Sequence, residues 1–189
     1  INFGAQTALG IYTVVANTTA TTCTGNMSGS ATVGVNPLPA VYSVTGGGNY
    51  CTGGAGVHVG LAGSNTGVQY QLMNGTSPVG GALTGTGRAL DFGLQTAAGV
   101  YSVAAMNIAT GCTATMSGSV TIAITPLPAL HNVTGGGNYC AGGSGVHVTL
   151  AGSTTNVNYQ LYLGGSAVGS AMPGTGTIID FGTHTTAGN

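Results

Sequence analysis

The sequence predicts an all-β protein of antiparallel sandwiches in tandem, and three observations carry that reading. Apolar residues alternate with polar ones over short runs, and glycine pairs and Asn-Gly steps punctuate those runs. The whole pattern then returns after 89 residues: pairing residues 2–90 with 91–179 needs no gap, and 53 of the 89 pairs are identical.

The repeat sets the size of the folding unit. Phe3-Gly4 falls on Phe92-Gly93 and again on Phe181-Gly182, Cys23 falls on Cys112, and His58 on His147. The stretch VTGGGNYC at Val44–Cys51 recurs letter for letter at Val133–Cys140. A solenoid turn takes about 20–45 residues, whereas one immunoglobulin-type sandwich takes about 100, so each period is expected to form one immunoglobulin-like bead.

Taken in order, the elements are strands at 11–16 and 31–35, then Pro37-Leu38-Pro39. That tripeptide lacks amide hydrogens at both prolines, which suits a stiff connector and not an interior strand. Val57, Val59 and Leu61 alternate with His58 and Gly60; Val68, Tyr70 and Leu72 alternate with Gln69 and Gln71. Leu90 with Phe92 makes a shorter strand, and Tyr101, Val103 and Ala105 make another. Val120, Ile122 and Ile124 continue the pattern until Pro126, which opens the second connector, Pro126-Leu127-Pro128. A period of two marks half-buried strands. The expected domains are therefore the C-terminal half of a bead at 1–36, a complete bead at 37–126, and the N-terminal half of another at 127–189, which stops at Gly188-Asn189 where its sixth strand should begin. The start at Ile1, without an initiator methionine, reads as a processed product or an excerpt.

Composition excludes whole classes of function. Arg88, Asp91 and Asp180 are the only full charges, so the chain is 2% charged where a globular domain is normally about one quarter. Near-neutrality favours association. No basic run exists to follow a phosphate backbone, and no apolar stretch is long enough for a transmembrane helix, so neither nucleic acid nor a membrane span is expected.

The candidate sites read mostly as structure. Tyr12 and Tyr101 open the sixth strand of their beads, where a tyrosine hydroxyl bonds nearby backbone. His58 and His147 sit mid-strand with no carboxylate expected beside them; zinc needs three or four ligands, so no metal and no cofactor is expected. Asp91 and Asp180 fall at a turn where Asn2 stands in the first copy, which suggests a capping side chain and not a catalytic one; Arg88, three residues from Asp91, is in reach to pair with it. No enzyme is expected. The run GGGNY has no helix or lysine after it for a phosphate cradle, so it is read as the bend between the bead's first two strands, stapled by its cysteine. Asn17, Asn26, Asn74 and Asn132 lie in N-x-S/T sequons and are candidate glycan acceptors.

The order Pro-x-Pro, YCTGGAGVHVGLAGS, VQYQL and TAAGVYSVAAMNIATGCTATMSGSVTIAI, present in both copies, resembles the tandem immunoglobulin-like repeats of very large secreted surface proteins of Bacteroidota. The resemblance implies a non-enzymatic extracellular or cell-surface adhesin, stalk or filament. The chain lacks the acidic residues that could hold calcium between beads, so a calcium-stiffened rod is not expected.

In a secreted protein the four cysteines should be oxidised. Cys51 with Cys112 would close a loop of about 60 residues inside the bead and stabilise it by roughly 4 kcal/mol. The competing pairs are Cys23 with Cys51 and Cys112 with Cys140, across the connectors. The two half-beads are complementary: Tyr12, Val14, Val33 and Val35 are what the set Val146, Val148 and Leu150 lacks. The N-terminal strands of one copy are thus expected to complete the C-terminal half of its neighbour in a head-to-tail polymer, with Cys140 within reach of Cys23 there. The alternative is a carbohydrate- or surface-binding adhesin module within one very long continuous chain.

Overall fold

The computed structural model describes residues 1–186, all in strands, turns and loops, with no helix among them. The chain forms two compact units, Ile1–Ile124 and Thr125–Asn189.

The first unit begins with four short strands: β1 (Gly10–Tyr12), β2 (Val15–Asn17), β3 (Thr24–Asn26) and β4 (Ala31–Val33). β1 pairs with β4 and β2 with β3, both antiparallel, and neither ladder has a third strand. Beyond the first Pro-Leu-Pro come β5 (Val44–Gly46), β6 (Gly48–Cys51), β7 (Val57–Leu61), β8 (Val68–Asn74), β9 (Ser77–Thr84), β10 (Leu90–Gln95), β11 (Gly99–Asn107), β12 (Thr113–Thr115) and β13 (Val120–Thr125). They make two sheets, β10-β7-β5 and β6-β13-β11-β8-β9, with β12 also on β11.

The alternation explains the packing. Val59 and Leu61 from the first sheet meet Val68, Tyr70, Leu72, Tyr101, Val103, Ala105 and Ile122 from the second in one core, each at most 3% exposed. Burying each large apolar side chain is worth about 1.5–3 kcal/mol. This shared core makes the pair of sheets a sandwich.

The glycine run does a different job from the bend expected. It lies within the first strand, at the point where the chain leaves one sheet for the other: β5 pairs with β7, while β6 lies beside β13. A Cβ on Gly46 would stand 2.1 Å from the His58 carbonyl oxygen, and one on Gly47 would stand 2.8 Å from Val120 Cβ. Both have positive φ, 89° and 72°, so only glycine lets the strand cross between sheets at this spacing.

The second unit holds β14 (Val133–Gly135), β15 (Val146–Leu150), β16 (Asn158–Leu163), β17 (Ser166–Pro173) and β18 (Ile179–His184), in sheets β14-β15-β18 and β16-β17. Its registers are those of the first unit moved by one period. Val133 faces Leu150 as Val44 faces Leu61, and Asn158 faces Pro173 as Gln69 faces Thr84. The expected sixth-strand start at Gly188-Asn189 lies outside the described residues.

Candidate functional site

Two open apolar grooves are the features that set the end segments apart from the complete sandwich. The first, about 870 Å³, is lined by Phe3, Tyr12, Val14, Met27, Ala31 and Val33 on the inward face of the β1–β4 and β2–β3 ladders. The second, about 770 Å³, lies in the other unit between Val146 and Val148 of β15 and Leu161 and Leu163 of β16, with Val133 and Val168 at its sides.

Of the residues expected at a polymer interface, Tyr12, Val14, Val33, Val146 and Val148 line these grooves, while Val35 and Leu150 do not. Val14 is 40% exposed and Val35 74%, while Tyr12, Val33, Val146 and Val148 are half-buried. Leu150 is already buried, at 7%, because β14 and β18 flank β15 on both sides. Tyr12 donates its hydroxyl to the Ala8 carbonyl at 2.8 Å, as Tyr101 does to Ala97 at 2.8 Å, so the turn before the sixth strand forms in both copies.

The cysteines are free in this structure, which corrects the expected bridge between Cys51 and Cys112. Cys51 ends β6, which lies beside β13 and finishes near Thr96, where the Tyr50 hydroxyl donates to the Thr96 carbonyl just before β11 begins. Cys112 follows the other end of β11, its carbonyl accepting from the Asn107 amide at 2.9 Å. A strand of nine residues therefore separates them, roughly 26 Å, against the 7 Å limit for a disulfide. None of the four cysteines is bridged, so Cys51 and Cys140 do not staple the glycine crossings and the competing pairs Cys23–Cys51 and Cys112–Cys140 are not formed either; Cys112 Sγ sits 3.9 Å from the Asn36 carbonyl oxygen.

Charge is more organised than the sequence suggests. His58 Nδ1 meets the Asp91 carboxylate at 2.8 Å, and His147 meets Asp180 at 2.7 Å. This overturns two expectations, a histidine without a carboxylate and an Arg88–Asp91 pair. A register shift between Asp91 and Leu94 bulges β10 and carries Asp91 over to β7. The capping role does hold in all three copies: Asn2, Asp91 and Asp180 each accept the amide of the glycine two residues on, at 2.8 Å. Hydrogen bonds from His58 and then from the Gly93 amide hold the Asp91 carboxyl below its ordinary range, and His147 and Gly182 do the same for Asp180. Among the described residues, no three His, Cys, Asp or Glu side chains converge.

Asn17, Asn26 and Asn132 are exposed at strand ends or in loops. Asn74 differs, since its side-chain amide donates to the Ala98 carbonyl at 3.3 Å and ties β8 to the start of β11.

The described residues thus form an all-β protein with one two-sheet sandwich and, at its ends, shorter antiparallel ladders whose apolar faces line open grooves. No protein-family model matches the chain, and no curated protein matches it.

Proposed function

We propose that this protein is a non-enzymatic structural subunit of an extracellular bacterial filament or adhesive stalk. In this reading its 89-residue repeats are immunoglobulin-like beads, joined head to tail by strand complementation between copies. One observation carries it: each end segment has the ladders and registers of the closed bead, but its inward face is open. Exposed strand edges and apolar faces invite pairing with another chain. A donor surface and an acceptor surface on different parts of one molecule make a contact that propagates into an open polymer instead of closing. The near-absence of charge removes the repulsion that would keep copies apart.

Electron microscopy of the concentrated protein tests this. Filaments are expected, and dispersed particles at high concentration overturn it. Intact mass after denaturation and reduction then identifies the subunit. Units of about 18.1 kDa before any glycan mass support assembly from separate copies. Species many times larger mean one covalent string of beads, the architecture of a long adhesin that binds glycans or surfaces through its loops.

A further inference from the structure

The closed bead specifies which residues of a second copy meet which residues of the open half. In that bead β11 pairs with β8 over seven residues: Tyr101 with Asn74, Ser102 with Met73, Val103 with Leu72, and onward to Asn107 with Val68. β8 therefore has two neighbours, β9 and β11. Among the described residues its counterpart β16 has one, β17, and no strand lies on its other edge.

We infer that residues 10–18 of a second copy zip onto this free edge in one register, Tyr12 against Leu163 through Thr18 against Val157. The inference rests on the proposed assembly and gives it an address. Four observations support the second copy as occupant. β1 and β4 pair as Gly10 with Val33, which is the pairing of Gly99 with Ile122 one period earlier. β2 and β3 pair as Val15 with Asn26, matching Ala104 with Thr115. The donor hairpin thus carries the bead's register before it docks.

The third observation is the partition of side chains. Docked in this register, Tyr12, Val14 and Ala16 point inward beside Leu163, Leu161 and Tyr159, reproducing the fully buried run Tyr101, Val103 and Ala105. Thr13 then faces Tyr162, Val15 faces Gln160 and Asn17 faces Asn158 on the outer surface. The outer pairs change together relative to the closed bead, where the equivalents are Ser102 with Met73 and Met106 with Gln69. Asn–Asn and Thr–Tyr are compatible cross-strand neighbours.

The fourth is a vacant place for the second donor strand. Gly135, Gly136 and Gly137 keep φ values of 88°, 73° and 126°, close to those of Gly46, Gly47 and Gly48, yet residues 138–140 form no strand. The strand that would flank them is β13 in the closed bead, and its counterpart is β4. A Cβ built on Gly136 meets nothing within 4 Å, whereas one on Gly47 meets Val120, so the place taken by Val120 is open for Ala31 of the incoming copy.

Site-directed cross-linking reads the register directly. In a background with all four cysteines changed to serine, chains bearing Thr13→Cys or Asn17→Cys are co-assembled with chains bearing Tyr162→Cys or Asn158→Cys and exposed to a mild oxidant. Directly opposed residues of an antiparallel pair have Cα atoms about 4.5–5.5 Å apart, inside the disulfide range. The expected result is a covalent heterodimer for Thr13→Cys with Tyr162→Cys and for Asn17→Cys with Asn158→Cys. The crossed combinations, offset by four residues along the strand, should give roughly tenfold less. Filaments with equal yields in all four mixtures, or with none, overturn the register while leaving the assembly standing. A double variant, Asn17→Cys with Asn158→Cys, that closes only within single chains overturns the second copy as occupant. Failure of the serine background to form filaments where the native chain forms none either overturns both.

Discussion

The complete sandwich and the end segments carry equivalent side chains one period apart in very different surroundings. Tyr70 is 0% exposed while Tyr159 is half-buried; Val103 is 0% exposed and Val14 40%; Ile122 is 1% exposed and Val33 half-buried. The ladders nevertheless agree pair for pair. Register is therefore settled by neighbours within each hairpin, whereas burial needs strands that lie far apart in the chain. A sandwich divided ahead of its sixth strand keeps its local geometry and loses its core.

Leucine deletion breaks this comparison most sharply. Leu72→Ala should cost the closed bead about 2–5 kcal/mol, because a fully buried side chain leaves a cavity. Leu161→Ala should cost the dispersed chain roughly half of that or less, and the full amount once filaments form. Denaturant unfolding of dispersed and assembled samples checks both.

The glycine crossings sharpen it next. Gly47→Ala introduces a methyl group against Val120 as well as backbone strain, and should destabilise by about 2–4 kcal/mol. Gly136→Ala carries only the strain, about 1–2 kcal/mol, until a donor strand arrives and adds the clash. Its critical concentration for polymerisation should therefore rise beyond what the strain measured in the dispersed chain accounts for.

Hydroxyl deletion is smaller. Tyr101→Phe should cost about 1 kcal/mol by leaving the Ala97 carbonyl unpaired at the edge of the core, and Tyr12→Phe close to nothing in the dispersed chain, where water replaces the bond. Thermal unfolding distinguishes the two.

The smallest effect is electrostatic. Asp91 has a folded-state pKa below its ordinary 3.8, so the folded bead binds protons less readily than the unfolded chain. Its contribution is complete above about pH 4 and disappears as pH falls through the lowered value. Both partners are more than half exposed, at 61% and 59%, which keeps the contribution slight. Asp91→Asn should accordingly flatten the acid limb of the unfolding midpoint against pH without altering it near neutrality.

Legibility followed the same local boundary. Alternation located β7, β8, β11 and β13, and the connectors were visible as Pro-Leu-Pro. β9 was missed because Pro78, Gly80 and Gly81 interrupt its pattern; it is held by the Gln71 side-chain amide, which donates to the Val79 carbonyl at 3.0 Å beside a register shift. The sheet-to-sheet crossing at Gly46–Gly48 reads as a turn because both need positive φ. The His58–Asp91 pair was hidden by a separation of 33 residues and by the bulge that brings the two together. The burial of Leu150 depended on strands flanking it on both sides, which alternation alone does not reveal.

The parallel bridge ahead of β5 and β13 has a mechanical consequence. Ser43 and Ser117 bridge in parallel, so the first and last strands of the closed bead run the same way, one following the incoming connector and the other leading to the outgoing one. Tension applied through the connectors pulls these two strands in opposite directions along their length. The hydrogen bonds between them, Val44 amide to Ser117 carbonyl and Ser117 amide to Tyr42 carbonyl, are then strained together in shear and not peeled one after another.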